Sequence, residues 1–261
     1  MSDGDVGINA TKPHPARIYD YYLGGKNNFP ADREIADQIL ALAPESRDNA
    51  QLNRSFLRRV VRFLAGEAGI RQFLDIGTGL PTQGNVHEVA QAVAPDARVV
   101  YVDYDPIVLS HGRALLAGEH VTIVQGDLRD PAGILENPEL REVLDFDQPI
   151  ALLLVAILHF VHDRDDPAAI LERLREALPP GSYLAISHAT GEFDPKRTVE
   201  ALKIYKGMLA LRRHAEVERF FEGFDLLDPG LVEVDRWRPD AETKASFGLP
   251  VPIYGGVGRL R

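Results

Sequence analysis

The sequence predicts an α/β fold: a Rossmann-like, doubly wound, seven-stranded and mostly parallel sheet behind an N-terminal helical lid. Three observations lead there. From Arg71 onward, short runs rich in Val, Ile and Leu alternate with helical stretches, the rhythm of βαβ units joined by right-handed crossovers. The runs are apolar without alternating with polar residues, as expected of strands covered on both faces. The first run ends in a glycine-bearing turn, and the tips of the first three runs carry aspartates. With 261 residues, 45% of them hydrophobic and 26% charged, the chain is long enough to bury one large core without staples.

The elements follow in order. Residues 1–13 are polar and glycine-bearing and are expected to fray. From His14 to Gly69 the pattern is helical. Ile35, Ile39 and Leu42 recur at helical spacing after Pro30, and Leu52, Phe56, Val60 and Leu64 form an i, i+4 stripe that ends at Gly66 and Gly69. Residues 1–69 thus form a start and helical preface, and 70–261 the sheet domain. Strands are expected at Gln72–Ile76, Arg98–Val102, His120–Val124, Ile150–Leu154 and Tyr183–Ser187, with two more at Leu231–Trp237 and Ile253–Leu260. Helices are expected at Thr82–Ala94, Pro106–Ala117 (started by Asp105-Pro106), Leu135–Leu144, Pro167–Leu178 and Thr198–Gly223. The loop His188–Thr198 is placed to cover a site.

Composition removes several chemistries. There is no cysteine, so disulfides, thiolate-bound zinc, iron–sulfur clusters and thiol nucleophiles are excluded within the chain, and no metal site is expected. A formal charge of −10 argues against a broad polyanion-binding face, and no nucleic-acid partner is expected. The longest apolar run, Ile150 to Leu158, is far shorter than the ~20 residues of a membrane span. With no charged-then-apolar leader, these features predict a cytoplasmic protein without a membrane partner.

Chemistry is expected at the strand tips, because ligands of open α/β sheets sit beyond the carboxyl ends of the strands. The first strand runs into Asp75-Ile76-Gly77-Thr78-Gly79-Leu80-Pro81-Thr82. Its two glycines allow a tight turn and close approach of backbone to ligand. A dinucleotide fingerprint would need glycine at position 82, which is Thr82, so a pyrophosphate is disfavoured. Asp75 suits the ammonium of a zwitterionic ligand instead. Asp103, at the tip of the second strand, can accept both hydroxyls of a ribose, with Tyr104 beside it; Asp105 reads as a helix cap. At the third tip, Gly126-Asp127-Leu128 can set a side-chain acceptor beside an adenine amino group while a backbone N–H reads a ring nitrogen. Singly, each is an ordinary turn; together they describe a nucleoside.

With these tips the chain resembles the class I S-adenosylmethionine-dependent methyltransferases from about Arg71 onward. Ala16-Arg17-Ile18-Tyr19-Asp20-Tyr21-Tyr22-Leu23-Gly24-Gly25-Lys26-Asn27-Asn28-Phe29, Asn53-Arg54-Ser55-Phe56-Leu57-Arg58-Arg59 and Val155-Ala156-Ile157-Leu158-His159-Phe160 resemble a narrower, mostly actinobacterial family of S-adenosyl methyltransferases first catalogued as a domain of unknown function. The resemblance implies that S-adenosylmethionine is the cofactor and S-adenosylhomocysteine the product. It also implies that Asp75, Gly77, Thr78 and Gly79 cradle the methionine end and Asp103 holds the ribose. Tyr104 would flank the base, Gly126, Asp127 and Leu128 would face the adenine, and Ala156 to His159 would line the path of the methyl group.

A hydroxyl or ammonium acceptor must also lose a proton. His159, at the tip of the fourth strand, is the candidate base; a packed residue beside Phe160 is the alternative. Tyr21, Tyr22, Lys26 and Asn28 surround a Gly-Gly break and fit either a lid that excludes water, with Tyr22 the second candidate catalytic residue, or a plain interhelical turn. Arg54, Arg58, Arg59 and Arg62 form a basic stripe read as solvated or paired with the chain's acidic excess, with carboxylate binding open to Arg54; Met208, Leu209, Leu211, Phe220 and Phe221 read as core-facing residues of a late helix. The expected activity is methylation of a small-molecule acceptor. A non-catalytic binder of S-adenosylmethionine or its product, and less favourably an NAD(P)-dependent oxidoreductase, are the alternatives. The fourth tip lacks the Asn/Asp-Pro-Pro-aromatic sequence of nucleic-acid amino methylation, and cytosine C5 methylation needs the absent cysteine.

Overall fold

The computed structural model describes residues 9–82, 84–115, 120–241, 243 and 250–261. The expectation for residues 1–8 and the last two residues of the helix expected to end at Ala117 therefore lie outside the described residues. Three helices come first, α1 (Pro15–Tyr22), α2 (Pro30–Leu42) and α3 (Ser46–Gly66). The sheet follows: β1 (Gln72–Ile76), α4 (Val86–Val93), β2 (Arg98–Asp103), α5 (Pro106–Leu115), β3 (Val121–Gln125), α6 (Pro131–Leu135), α7 (Pro138–Val143) and β4 (Ala151–Val155). It continues with α8 (Pro167–Glu176), β5 (Tyr183–Ala189), α9 (Pro195–Ile204), α10 (His214–Glu218), β6 (Phe224–Leu226), β7 (Val232–Glu233) and β8 (Ile253–Leu260).

The strand order is β3-β2-β1-β4-β5-β8-β6. The first five strands are parallel, and β8 runs antiparallel between β5 and β6. These seven strands carry the expected architecture. The eighth, two-residue β7 pairs with Gly255 and Tyr254 of β8, beyond the stretch that β6 occupies. Strand order reverses between β1 and β4, which opens a crevice at their carboxyl ends.

Successive residues of each strand serve opposite faces. Phe73, Val99, Tyr101, Ala151 and Leu153 join the core under α3, α4 and α5, while Leu74, Val100, Val102, Leu152 and Leu154 join the core under α7 and α8. The α3 stripe behaves as its period predicts: Phe56, Val60 and Leu64 are fully buried against the sheet. A third, smaller core lies apart. Ile18 and Tyr22 of α1, with Ile35, Ala36 and Ile39 of α2, pack with Ala50 and receive Ala201, Ile204 and Tyr205 from the far end of the chain.

Four expectations are corrected. The helix expected at Leu135–Leu144 is split into α6 and α7, because Pro138 cannot supply the N–H a continuous helix needs and Asn137 caps the second piece through the N–H groups of Glu139 and Leu140. The long helix expected at Thr198–Gly223 stops at Ile204, where Lys206 and Gly207 take φ of 50° and 79°, and resumes only at His214. Only Val232 and Glu233 of the strand expected at Leu231–Trp237 pair as strand; Trp237 packs edge-on against Phe56 and Phe63 instead, and Phe224–Leu226 forms the sheet edge. Arg59 of the basic stripe is buried, donating to the carbonyls of Trp237 and Val234 and to Ser55 Oγ.

Candidate active site

A cavity of about 580 Å³ opens at the carboxyl ends of β1, β2 and β4, and its walls contain nine of the expected site residues: Tyr22, Asp75, Gly77, Thr78, Gly79, Asp103, Tyr104, Ala156 and His159. Its floor is the glycine turn. Gly77 and Gly79 take φ of 76° and 68°, a region that penalises any side chain. A Cβ on Gly77 would also stand 2.5 Å from Ile157 of the β4 tip, so the two turns can meet only because this residue is glycine. The Gly79 N–H donates to Asp103 Oδ2 at 2.9 Å, tying the β1 turn to the β2 tip. On the β4 side Ala156 adopts φ of 58°, held by hydrogen bonds from its N–H to the carbonyl oxygen and Oγ of Ser187. A left-handed alanine costs roughly 1–2 kcal/mol, a strain typical of functional turns.

Asp75 and Asp103 are both buried, and burial lifts each carboxyl from the ordinary 3.8 to about 6. The Arg54 charge and a 3.1 Å hydrogen bond from Thr78 Oγ1 offset part of the rise at Asp75. At Asp103 the N–H groups of Asp105 and Gly79 do the same.

Apart from His14 Nδ1, which faces Asp105 Oδ2, three buried polar atoms on cavity-lining residues lack a hydrogen-bond partner among the described residues: Asn53 Oδ1, Arg54 Nε and Thr82 Oγ1. Unsatisfied polar groups are rare in folded proteins, and three around one cavity with two buried carboxylates call for a ligand rich in both donors and acceptors. A zwitterionic amino acid joined to a nucleoside is such a ligand, so the residues present fit S-adenosylmethionine.

The N-terminal segment roofs the cavity. His14 lies 2.7 Å from Tyr104 OH through Nε2 and 3.0 Å from Asp105 Oδ2 through Nδ1, while Ala16 stands over Gly79. Tyr104, whose hydroxyl burial pushes up to about 12, remains 42% exposed. Tyr22 OH meets Tyr205 OH at 3.0 Å, and burial raises the Tyr22 hydroxyl far above its ordinary range, which makes it a neutral phenol rather than a base. Asn28 is occupied structurally: its side chain donates to Asp20 Oδ2 and accepts from Arg33. Lys26 lies outside the cavity wall. The loop after β5 contributes Thr190 and Phe193 to the wall, and the first turn of α9 contributes Thr198.

Gly126, Asp127 and Leu128 are not part of the cavity wall. Arg129 reaches back to chelate both oxygens of Asp127, which holds that carboxyl below its ordinary range. Leu128 is core, and a Cβ on Gly126 would strike Val102 and Ile134.

Arg54, expected mainly as a solvated residue, and Asn53 and Tyr205, not foreseen as site residues, also line the cavity. Ala50, Asn53, Arg54 and Leu57 all line the cavity at i, i+3, i+4, i+7, the face of α3 beside its core stripe, and that spacing was the available signal. Leu209 and Leu211 line the cavity rather than filling the core, because the helix expected to carry them is interrupted. Among the described residues no helix is long and apolar enough to cross a membrane, and no cluster of three or more His, Asp or Glu could hold a metal ion.

A parallel sheet of this order, an antiparallel strand inserted beside β5 and acidic tips around a cavity at the reversal point define a class I methyltransferase. Within that class, the chain belongs to the S-adenosyl methyltransferase family, whose model matches residues 2–261. It is 48% identical to a DUF574 family protein from Streptomyces avermitilis MA-4680, over 98% of this chain and 100% of that one, with a TM-score of 0.93. A candidate methyltransferase from Thermobifida fusca YX is 43% identical over 98% of each chain, with a TM-score of 0.89. A methyltransferase dependent on the same cofactor from Anabaena variabilis ATCC 29413 shares the fold at 14% identity, covering 97% of this chain and 99% of that one with a TM-score of 0.53. No protein of curated function matches the chain. The protein is an S-adenosylmethionine-dependent methyltransferase.

Proposed function

We propose that the enzyme methylates a small-molecule acceptor held in the 580 Å³ cavity between the sheet and the helical roof, with cofactor and acceptor side by side. The observation that carries this reading is the convergence of Asp75, Asp103 and Arg54 on the same cavity as His159 and Tyr22. Asp75 and Asn53 suit the ammonium, Arg54 the carboxylate, Asp103 the ribose hydroxyls and Tyr104 the base. Bound there, the cofactor supplies an already activated sulfonium methyl, so the protein's task is orientation.

The chain's residues perform that task by enclosure. The glycine turn and the Ala156 turn bring backbone close to the reacting centre, and Tyr22 and Tyr205 close the cavity above it. In-line positioning of two reactants can remove ~7–11 kcal/mol from a barrier, and exclusion of water favours the acceptor over hydrolysis. A thermal-shift comparison tests the reading: S-adenosylhomocysteine at ~100 times its dissociation constant should add about 2.7 kcal/mol of stability, and NAD little. The reverse pattern would favour an oxidoreductase.

A further inference from the structure

His159 and His188 stand edge to face with ring centroids 5.5 Å apart, and their hydrogen bonds fix which nitrogen of each carries the proton. His188 Nδ1 lies 2.7 Å from the carbonyl oxygen of Ala189, which can only accept, so Nδ1 is protonated. Its Nε2 lies 3.2 Å from Arg212 Nη1, which can only donate, so Nε2 is bare. The backbone N–H of Ala189 in turn donates to His159 Nδ1 at 3.3 Å. A neutral His159 therefore carries its proton on Nε2. That atom has no hydrogen-bond partner among the described residues, and the ring lines the cavity.

Arg212 anchors the arrangement. Itself buried, it also donates to the carbonyls of Leu158 and Val161, which bracket His159, and to Asp163 Oδ1. Burial, with His188 and Arg212 beside it, holds the His159 ring well below its ordinary pKa and hence neutral.

We propose that His159 serves as a hydrogen-bond donor through Nε2, that the Ala189 N–H imposes this tautomer while His188, bonded to the Ala189 carbonyl, and Arg212, bonded to the carbonyls flanking His159, are the positioning residues that hold the two in register, and that the acceptor is an oxygen acid (a phenol, enol or carboxylic acid) on an apolar body, methylated as its oxyanion. The inference rests on the methyltransferase reading of the cavity. With its proton already on Nε2, His159 cannot take another there, so the general-base role expected from its position gives way to donation. An oxyanion has lone pairs to spare: one accepts from Nε2–H while another attacks. A neutral amine has a single lone pair, which the same donor would occupy. Tyr22, Phe160, Phe193, Tyr205, Leu209 and Leu211 supply the apolar wall. In the step itself the acceptor has already released its proton to solvent. An oxygen lone pair forms the bond to the methyl carbon, the carbon–sulfur bond breaks with its pair passing to sulfur, and the negative and positive charges disappear together.

Ring-nitrogen NMR of His159 in the full chain, with and without S-adenosylhomocysteine, reads the tautomer directly. The Nε2–H form is expected in the wild type and in H188N, whose side-chain amide replaces the Nδ1 donor; H188F should give a mixture of tautomers. With the product bound, 4-nitrophenolate should bind roughly 10–100-fold tighter than 4-nitroaniline, and H159F should erase the preference. An Nδ1–H tautomer in the wild type overturns the donor assignment, and absent phenolate binding or equal affinity for both probes overturns the acceptor class. Neither measurement depends on H188F folding. Loss of the S-adenosylhomocysteine thermal shift would strike the cofactor reading, whereas a wrong tautomer strikes this inference alone.

Discussion

Asp75 and Asp103 stand on adjacent parallel strands whose register sets Asp75 opposite Tyr101, two residues short of Asp103, so a ladder of backbone hydrogen bonds brings the two carboxylates to one edge. Tyr22 and Tyr205, on the other side of the same cavity, are 183 positions apart and meet through the packing of α1 and α2 against the end of α9. The floor is thus imposed by sheet geometry and the roof by a small satellite core. Floor residues can be strained, buried and charged because the sheet holds them. The roof rests on a smaller core, and α9 buries none of its residues fully.

If the floor holds the cofactor, its substitutions should change affinity far more than those in the roof. The largest effect is expected for Asp103→Ala, which should weaken S-adenosylhomocysteine about 100-fold in calorimetry as two ribose hydroxyls lose a charged acceptor; unchanged affinity would remove Asp103 from the site. Next, Arg54→Ala should cost about tenfold for S-adenosylhomocysteine and nothing for adenosine, because the role proposed for Arg54 is confined to the amino-acid end. An equal loss for both would place Arg54 elsewhere.

The pH dependence sharpens the same contrast. Asp75 and Asp103 titrate near 6 in the free protein, against an ordinary 3.8, so they hold protons between those values that the bound ligand requires them to release. Affinity, followed calorimetrically with proton release, should therefore rise with pH through this window, by roughly tenfold per pH unit for each carboxyl that must ionise, and level off above it. The smallest effect belongs to the roof: Tyr22→Phe and Tyr205→Phe should each lower stability by about 0.5–1.5 kcal/mol, the double variant by no more than the larger single one, with product affinity unchanged. Additive losses would show that the hydroxyl pair is not one interaction.

The same division explains what could be read in advance. β1 occupies Gln72–Ile76 as expected, and β2 to β5 match within about two residues, because an apolar run closed by glycine or aspartate is local information. The residues past Ile204 are different. Their apolar side chains, Leu209 and Leu211 among them, continue a plausible helix, and only the left-handed Lys206-Gly207 pair and the tie from the Ala210 N–H to the His159 carbonyl divert them into the cavity wall. Arg212 could not be distinguished from any solvated arginine until the fold surrounded it with carbonyls. Asp127 is the opposite case: its position at a strand tip was read correctly, but its pairing with the arginine two residues on was not foreseen.

A crystal structure of the complex with S-adenosylhomocysteine tests the central claim most directly. The account predicts both ribose hydroxyls on the Asp103 carboxylate, the amino-acid carboxylate at Arg54 and the sulfur turned toward His159. A nucleoside seated elsewhere, or one whose ribose leaves Asp103 untouched, would contradict it.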